Sequence, residues 1–152
     1  KDLLTYHKID VNQRFCILGD GGAAKACYRV LKDMGNDPLV VSRKKNLFFD
    51  RCIDYEQFKN IHQEIACFIH TTPVGTYPQT EDVILEPLYV KDKLVIDLIY
   101  NPLRTKLMSY GQTAFNGLSM LIFQAIASQS VWLNQVFNQE KIFQYVKGAM
   151  YE

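Results

Sequence analysis

A chain of 152 residues with 48% hydrophobic content is long enough to bury one core and too short for two comfortable ones, so a single domain is expected. A net charge of +1 with both signs interspersed offers no basic field, which excludes an electrostatic footprint for nucleic acid. No signal peptide opens the sequence and no apolar run approaches the roughly 20 residues that span a bilayer; a soluble protein with no membrane role is expected, and any anion site must be local.

Residues 1–13 read as the end of a helix carrying Leu3, Leu4 and Tyr6, followed by a polar connector. A helix that opens without a cap or lead-in is what a cut within a longer chain would leave. Phe15-Cys16-Ile17-Leu18 is an apolar run too short for a helix, and it ends in Gly19-Asp20-Gly21-Gly22-Ala23-Ala24, which leads directly into helical spacing. Strand, tight turn and helix in that succession are the signature of a nucleotide-binding α/β unit. Gly19 permits the turn, Gly21 lets the backbone approach a pyrophosphate, and the small Ala24 lets the helix pack closely on the strand. The helix N-terminus then offers free N–H groups and a positive dipole end to phosphate.

The helix from about Gly22 to Met34 is expected to bury a stripe of Ala23, Ala26, Cys27, Val30, Leu31 and Met34, and Gly35 with Pro38 stops it. Leu39 to Ser42 reads as a second strand, buried on both faces by its continuous apolar character. At its end, Ser42-Arg43-Lys44-Lys45 lacks the acidic residue that would hold a ribose 2′-hydroxyl. Three consecutive cations about 20 residues beyond the glycine cluster suit a 2′-phosphate instead, with Arg43 able to chelate its oxygens.

Residues 47–54 hold a short third strand and 55–60 a helical turn. Residues 64–70 form another buried strand, ending in Thr71-Thr72-Pro73-Val74-Gly75-Thr76-Tyr77-Pro78, an irregular loop expected to line a ligand crevice. Residues 94–100 are a strand carrying Asp97, which reads as a buried, hydrogen-bonded carboxylate fixing the neighbouring loop, just as His70 reads as a hydrogen-bonded structural group. A helix is expected from near Pro102 to about Tyr110 with Leu103 and Leu107 inward, and Thr113 to Phe115 make the last strand. A long helix from Leu118 to about Val136 is expected to bury Leu121, Ile122, Ala125, Ile126, Trp132, Leu133 and Val136. A final helix over 140–149 carries Ile142, Phe143 and Val146. The cysteines at 16, 27, 52 and 67 show no metal-ligand spacing and read as packed, reduced thiols in a cytoplasmic protein, with no metal site.

Alternating strands and helices imply an α/β fold, a doubly wound, mostly parallel sheet of about six strands with helices on both faces. The expected division is 1–13 helix end and connector, 14–137 core, and 138–152 C-terminal helix.

Five groups of residues also form a recognisable series: Leu18-Gly19-x-Gly21-Gly22-Ala23-Ala24, Ser42-Arg43, Thr71-Thr72-Pro73-Val74-Gly75, Asp97-x-x-Tyr100-x-Pro102-x-x-Thr105-x-Leu107, and Gly117-Leu118-x-Met120-Leu121-x-x-Gln124-Ala125. In this order and spacing they resemble the C-terminal, Rossmann-like NADP-binding domain of the shikimate dehydrogenases, from the first residues to about Asn134. The resemblance implies reversible, NADP-dependent reduction of 3-dehydroshikimate to shikimate in aromatic amino acid biosynthesis. It implies a cofactor site of Gly19, Asp20, Gly21, Gly22, Ala23, Ser42, Arg43, Lys44, Thr71, Thr72, Pro73, Val74, Gly75, Gly117 and Met120, with Tyr100 and Gln124 bordering the substrate. It also implies that the family's catalytic Lys and Asp lie in an N-terminal domain outside these residues, so the fragment alone is expected to bind NADP and catalyse nothing. The chain departs from the family at Asp20, Ser42, Lys44, His70, Thr76 and Ser119; Asp20 brings a negative charge near the pyrophosphate, and Ser119 stands where a glycine lies against the nicotinamide. The alternatives are a free-standing NADP(H)-binding regulatory module and a quinate/shikimate relative. Arg43 argues against a methyltransferase.

Overall fold

The computed structural model describes residues 1–151; the expected C-terminal helix segment 138–152 therefore ends in one residue, Glu152, outside the described residues. Six strands form one sheet: β1 (Phe15–Leu18), β2 (Leu39–Val41), β3 (Cys52–Ile53), β4 (Cys67–His70), β5 (Leu94–Asp97) and β6 (Thr113–Phe115). Their order is β3-β2-β1-β4-β5-β6 and every pairing is parallel. The crossovers run outward in opposite directions from the β1–β4 junction. That reversal opens a crevice beyond the carboxyl ends of the strands, where ligands of open α/β sheets sit.

Among the described residues seven α-helices, and a short 3-10 turn at His62–Glu64, accompany the strands: α1 (Asp2–Tyr6), α2 (Gly22–Asp33), α3 (Tyr55–Lys59), α4 (Pro87–Val90), α5 (Lys106–Tyr110), α6 (Leu118–Leu133) and α7 (Gln139–Tyr151). Successive strand residues point to opposite faces, so β1 sends Phe15 and Ile17 to one core and Cys16 and Leu18 to the other. The first core packs under α1 and α2 through Leu3, Leu4, Ala24, Tyr28 and Leu31. The second packs under α3, α4 and α5 through Phe58, Val90, Leu107 and Met108. A third cluster joins Ile122, Phe123 and Ile126 of α6 to Phe143 of α7, with the Phe123 and Phe143 rings stacked at 5.3 Å.

Three helices differ from the sequence expectation. On α2 the fully buried residues are Ala24, Tyr28 and Leu31, while Ala23 and Ala26 are exposed. Tyr28 turns inward because its hydroxyl accepts the Asp50 N–H at 3.1 Å and its ring meets Phe49 edge-on. α5 begins at Lys106 rather than near Pro102, since Thr105 is its N-cap and accepts the Met108 N–H at 3.3 Å. α6 ends at Leu133, where Asn134 adopts a left-handed conformation, and it buries Leu118, Ser119, Ile122, Phe123 and Ile126. Leu121, Trp132, Leu133 and Val136, expected in the core, are exposed, Val136 completely, and Ala125 is exposed as well. A segment apolar all round carries no periodic signal to select its inward face. Contact with α1 and α7 selects it instead.

All four cysteines are free thiols. Burial pushes the Cys27 thiol up to about 11 and raises those of Cys16 and Cys67 as well, which makes them inert packing groups. No described helix is long and apolar enough to cross a membrane.

Candidate functional site

The crevice begins where β1 gives out. Gly19 has φ +111°, a conformation that L side chains rarely adopt, and a Cβ there would lie 2.7 Å from Thr71 Oγ1 and 2.8 Å from Thr72 Cγ2. Only glycine fits both the backbone and the space. The Thr71 hydroxyl donates to the Leu18 carbonyl at 2.7 Å, and its N–H reaches the same oxygen at 3.0 Å, so the 71–72 segment is clamped onto the turn. Gly21 is the N-cap of α2 and no side chain caps it. The first bond along the helix runs from the Lys25 N–H to the Gly21 carbonyl at 3.1 Å, which leaves the amides of Gly22, Ala23 and Ala24 without intrahelical acceptors. A Cβ on Gly21 or Gly22 would meet nothing within 4 Å. This open, amide-lined face suits an anion. Ala24, fully buried, makes the close helix-to-strand packing possible.

The Asp20 carboxylate does not cap α2; it accepts a hydrogen bond from Asn46 Nδ2 at 3.3 Å. Asn46 belongs to the loop after β2, and its Oδ1 accepts the Phe48 N–H at 3.0 Å. Ser42, buried at the end of β2, donates to the Lys44 carbonyl. Two polar side chains thus shape a loop that leaves Arg43, Lys44 and Lys45 exposed. Burial pushes the Tyr55 phenol far up, with Cys16 and Asp20 adding to that and Arg43 opposing it.

At the centre, His70 and Asp97 face each other across β4 and β5 in register. Their side chains are 1% and 0% exposed, with Nδ1 of His70 3.0 Å from Oδ1 of Asp97. The same Oδ1 accepts the Ile99 N–H at 3.0 Å, and Oδ2 accepts the Thr105 hydroxyl at 2.6 Å. Nε2 of His70 lies 2.6 Å from Thr72 Oγ1. The carboxylate thereby ties the chain leaving β5 to the cap of α5 and, through His70, to the loop after β4.

A cavity of about 440 Å³ opens above this pair, lined by Thr71, Thr72, Pro73, Thr76, Tyr77, Leu98, Ile99, Tyr100 and Asn101. Val74 and Gly75 shape the loop without lining the cavity: the Val74 N–H reaches Thr72 Oγ1 at 3.3 Å, and Gly75 has φ +91°. Gly117 sits where a Cβ would lie 2.0 Å from the Leu98 carbonyl oxygen, and its N–H donates to Ile99 at 3.0 Å. Ser119 is buried, with Oγ 3.5 Å from Nε2 of His7, whose ring stacks on Phe115. Met120 and Gln124 line a second, apolar cavity of about 280 Å³ between α1, α2 and α6. The structure therefore gathers the glycine turn, Arg43, the 71–73 segment and Tyr100 along one crevice, and sets Met120 and Gln124 apart from Tyr100. Among the described residues no cluster of His, Cys, Asp or Glu could hold a metal ion.

Sequence reasoning missed Asn46, Tyr55 and the His70–Asp97 pairing. The cap of α3 was legible, because Asp54 and Gln57 have the spacing of a capping box and form one. No short-range signal joins Asp20 to Asn46 or His70 to Asp97.

No protein-family model matches the chain. A shikimate dehydrogenase (NADP(+)) of Clostridium perfringens is 35% identical over 144 residues, covering 86% of this chain and 53% of the relative. Over most of its length the chain is homologous to shikimate dehydrogenases at 31–35% identity. A solved chorismate mutase/shikimate 5-dehydrogenase fusion protein from Clostridium acetobutylicum superposes with a TM-score of 0.85 at 32% identity, covering 97% of this chain and 58% of that one. Shikimate dehydrogenase 1 from Peptoclostridium difficile gives 0.83 at 34% identity, with 95% and 57% covered. The chain thus spans about half the length of the shikimate dehydrogenases it matches.

Proposed function

We propose that this chain is the NADP-binding half of a shikimate dehydrogenase and that it holds the dinucleotide across the β1–β4 crevice. The observation that carries the reading is the wedge of Gly19 against Thr71 and Thr72, which leaves the first amides of α2 open beside the exposed Arg43 and Lys44. The α2 amides and dipole take the pyrophosphate. Arg43, with Lys44, takes the 2′-phosphate, as a planar guanidinium can do bidentately. Because the adenosine end lies at β2, the nicotinamide end runs across the reversal toward Thr72, the 73–75 loop and Gly117. Asp20 is held by Asn46 and does not cap α2, so it leaves the first amides of the helix to the phosphate.

When bound, NADPH supplies a hydride for the ketone of 3-dehydroshikimate. The chain's own part is to bind and orient the dinucleotide and to present Tyr100, from the cavity wall beside Thr72, to the polyhydroxylated ring. Reduction also requires a proton for the developing alkoxide. His70 and Asp97 are sealed in the sheet and fully engaged, so that proton comes from the substrate domain of the whole protein, and these residues alone turn nothing over. The packed, free thiols suit a reducing cytoplasm.

Calorimetric titration with NADP and NAD tests the reading. NADP binds more tightly, and Arg43→Ala removes most of the preference; equal binding of the two would mean that residues 43–45 are only a solvated loop. Adding shikimate and NADP to the chain yields no NADPH absorbance, and turnover would refute its inactivity.

A further inference from the structure

The His70–Asp97 pair does not end inside the sheet, because it continues through Thr72 to the cavity wall. Both Asp97 oxygens already accept, from the Ile99 N–H and from the Thr105 hydroxyl. A carboxylate has no hydrogen to offer, so the network assigns the proton facing it to Nδ1 of His70. With that single ring proton on Nδ1, Nε2 is bare and can only accept. In this tautomer the donor across the 2.6 Å contact is the Thr72 hydroxyl. With its one hydrogen committed, the Thr72 oxygen accepts the Val74 N–H at 3.3 Å and keeps one lone pair at the edge of the 440 Å³ cavity.

We propose that the Asp97–His70–Thr72 chain makes Thr72 an obligatory hydrogen-bond acceptor in this cavity, a specificity site for a ligand N–H group, and that the group it selects is the carboxamide NH2 of the nicotinamide ring. The identification of the ligand rests on the NADP reading above. Thr72 makes the contact, while His70 and Asp97 are positioning residues that fix the direction of its hydroxyl. An unconstrained threonine would donate to a carbonyl or accept from an amide N–H alike by rotating its hydrogen. This one cannot, and the cavity therefore distinguishes an amide from an isosteric ketone. The location fits a nicotinamide, since Thr72 packs against Gly19 on the far side of the pyrophosphate turn from Arg43.

Calorimetry on the chain with NADP, its 3-acetylpyridine analogue and 2′,5′-ADP tests the proposal. The analogue keeps the carbonyl and replaces NH2 by CH3, whereas 2′,5′-ADP lacks the ring altogether. NADP binds roughly threefold to tenfold more tightly than the analogue, the value of one hydrogen bond. Thr72→Val abolishes that ratio without changing 2′,5′-ADP binding, and Thr72→Ser restores it. In His70→Asn the side-chain amide donates to Thr72, frees the hydroxyl hydrogen and shrinks the ratio. Binding of 2′,5′-ADP together with equal affinities for NADP and the analogue overturns this proposal and leaves the NADP reading standing; loss of 2′,5′-ADP binding too overturns both. A long-range 15N–1H correlation spectrum of the histidine rings reads the tautomer independently of any ligand. A proton on Nδ1 of His70 supports the relay, and one on Nε2 overturns it.

Discussion

At the β4–β5 centre the charged and polar groups are sealed from water and bonded on every side, whereas at the β2 edge Arg43, Lys44 and Lys45 stand in solvent on a loop held by Ser42 and Asn46. The two ends of one crevice follow opposite physical rules. A buried carboxylate is tolerated only when each oxygen is satisfied, so the centre is rigid, and losing one partner strands the others. Exposed cations are screened, contribute little to folding and remain free for a ligand. Substitutions at the centre should therefore act on stability, and substitutions at the edge on binding.

The sharpest break of that contrast is Asp97→Ala. It strands the Ile99 N–H, the Thr105 hydroxyl and His70 in the sheet and is expected to cost about 3–5 kcal/mol in urea unfolding. A loss under about 1 kcal/mol, the range of an exposed ion pair, would mean the centre is not the rigid element described. Gly19→Ala lies where the two regions meet and combines a left-handed backbone with contacts below 3 Å to Thr71 and Thr72; about 2–3 kcal/mol is expected, together with loss of dinucleotide binding.

Arg43→Ala inverts the pattern. The unfolding midpoint stays in place while NADP affinity falls roughly tenfold, and a shifted midpoint would show that the edge is structural after all. Lys32 marks another exposed pairing, reaching Asp37 and Asp50 at 3.0 Å each. Its hydrogen bonds to Asp50 and Asp37 hold the ammonium above its usual range, and the bond from Lys32 holds Asp50 below the carboxylate range. The sign follows from linkage. The Asp50 contribution is present above its unfolded pKa and fades as pH falls through the depressed folded value. The Lys32 contribution is complete below its unfolded pKa and is lost as pH rises through the raised one. A Lys32→Met variant should differ from the parent in urea midpoint at neutral pH and converge with it in acid or in about 1 M salt; a difference unmoved by either would identify packing rather than charge. The smallest effect belongs to Trp132→Ala, which should shift stability by no more than about 0.5 kcal/mol, because the indole is 75% exposed.

Much of the crevice was legible from local chemistry. β1, β2, β4 and β5 are apolar runs because a parallel sheet covered on both faces asks for little else, and Gly19 announces its turn because the backbone at that position tolerates nothing larger. Helix phase was less legible. α6 is apolar around its whole circumference, so the pattern that located the helix could not say that Phe123 turns in while Leu121 and Trp132 turn out. The start of α5 differs from the expectation at Pro102 because Thr105 caps the Met108 N–H while its hydroxyl donates to Asp97, which holds residues 102–105 outside the helix.

By itself the sequence determined the succession of strand, turn and helix, the parallel α/β class, the glycine turn and the basic residues that follow β2, all of which rest on interactions among residues close in the chain. Tertiary structure alone decided that His70 meets Asp97, that Asn46 restrains Asp20, and that Tyr100 and Gln124 line different cavities. Those outcomes depend on strand order and register, which bring together residues 27 apart at the sheet centre and 26 apart at its edge. A hydrogen bond across that separation leaves no periodicity, spacing or composition for a linear reading to detect.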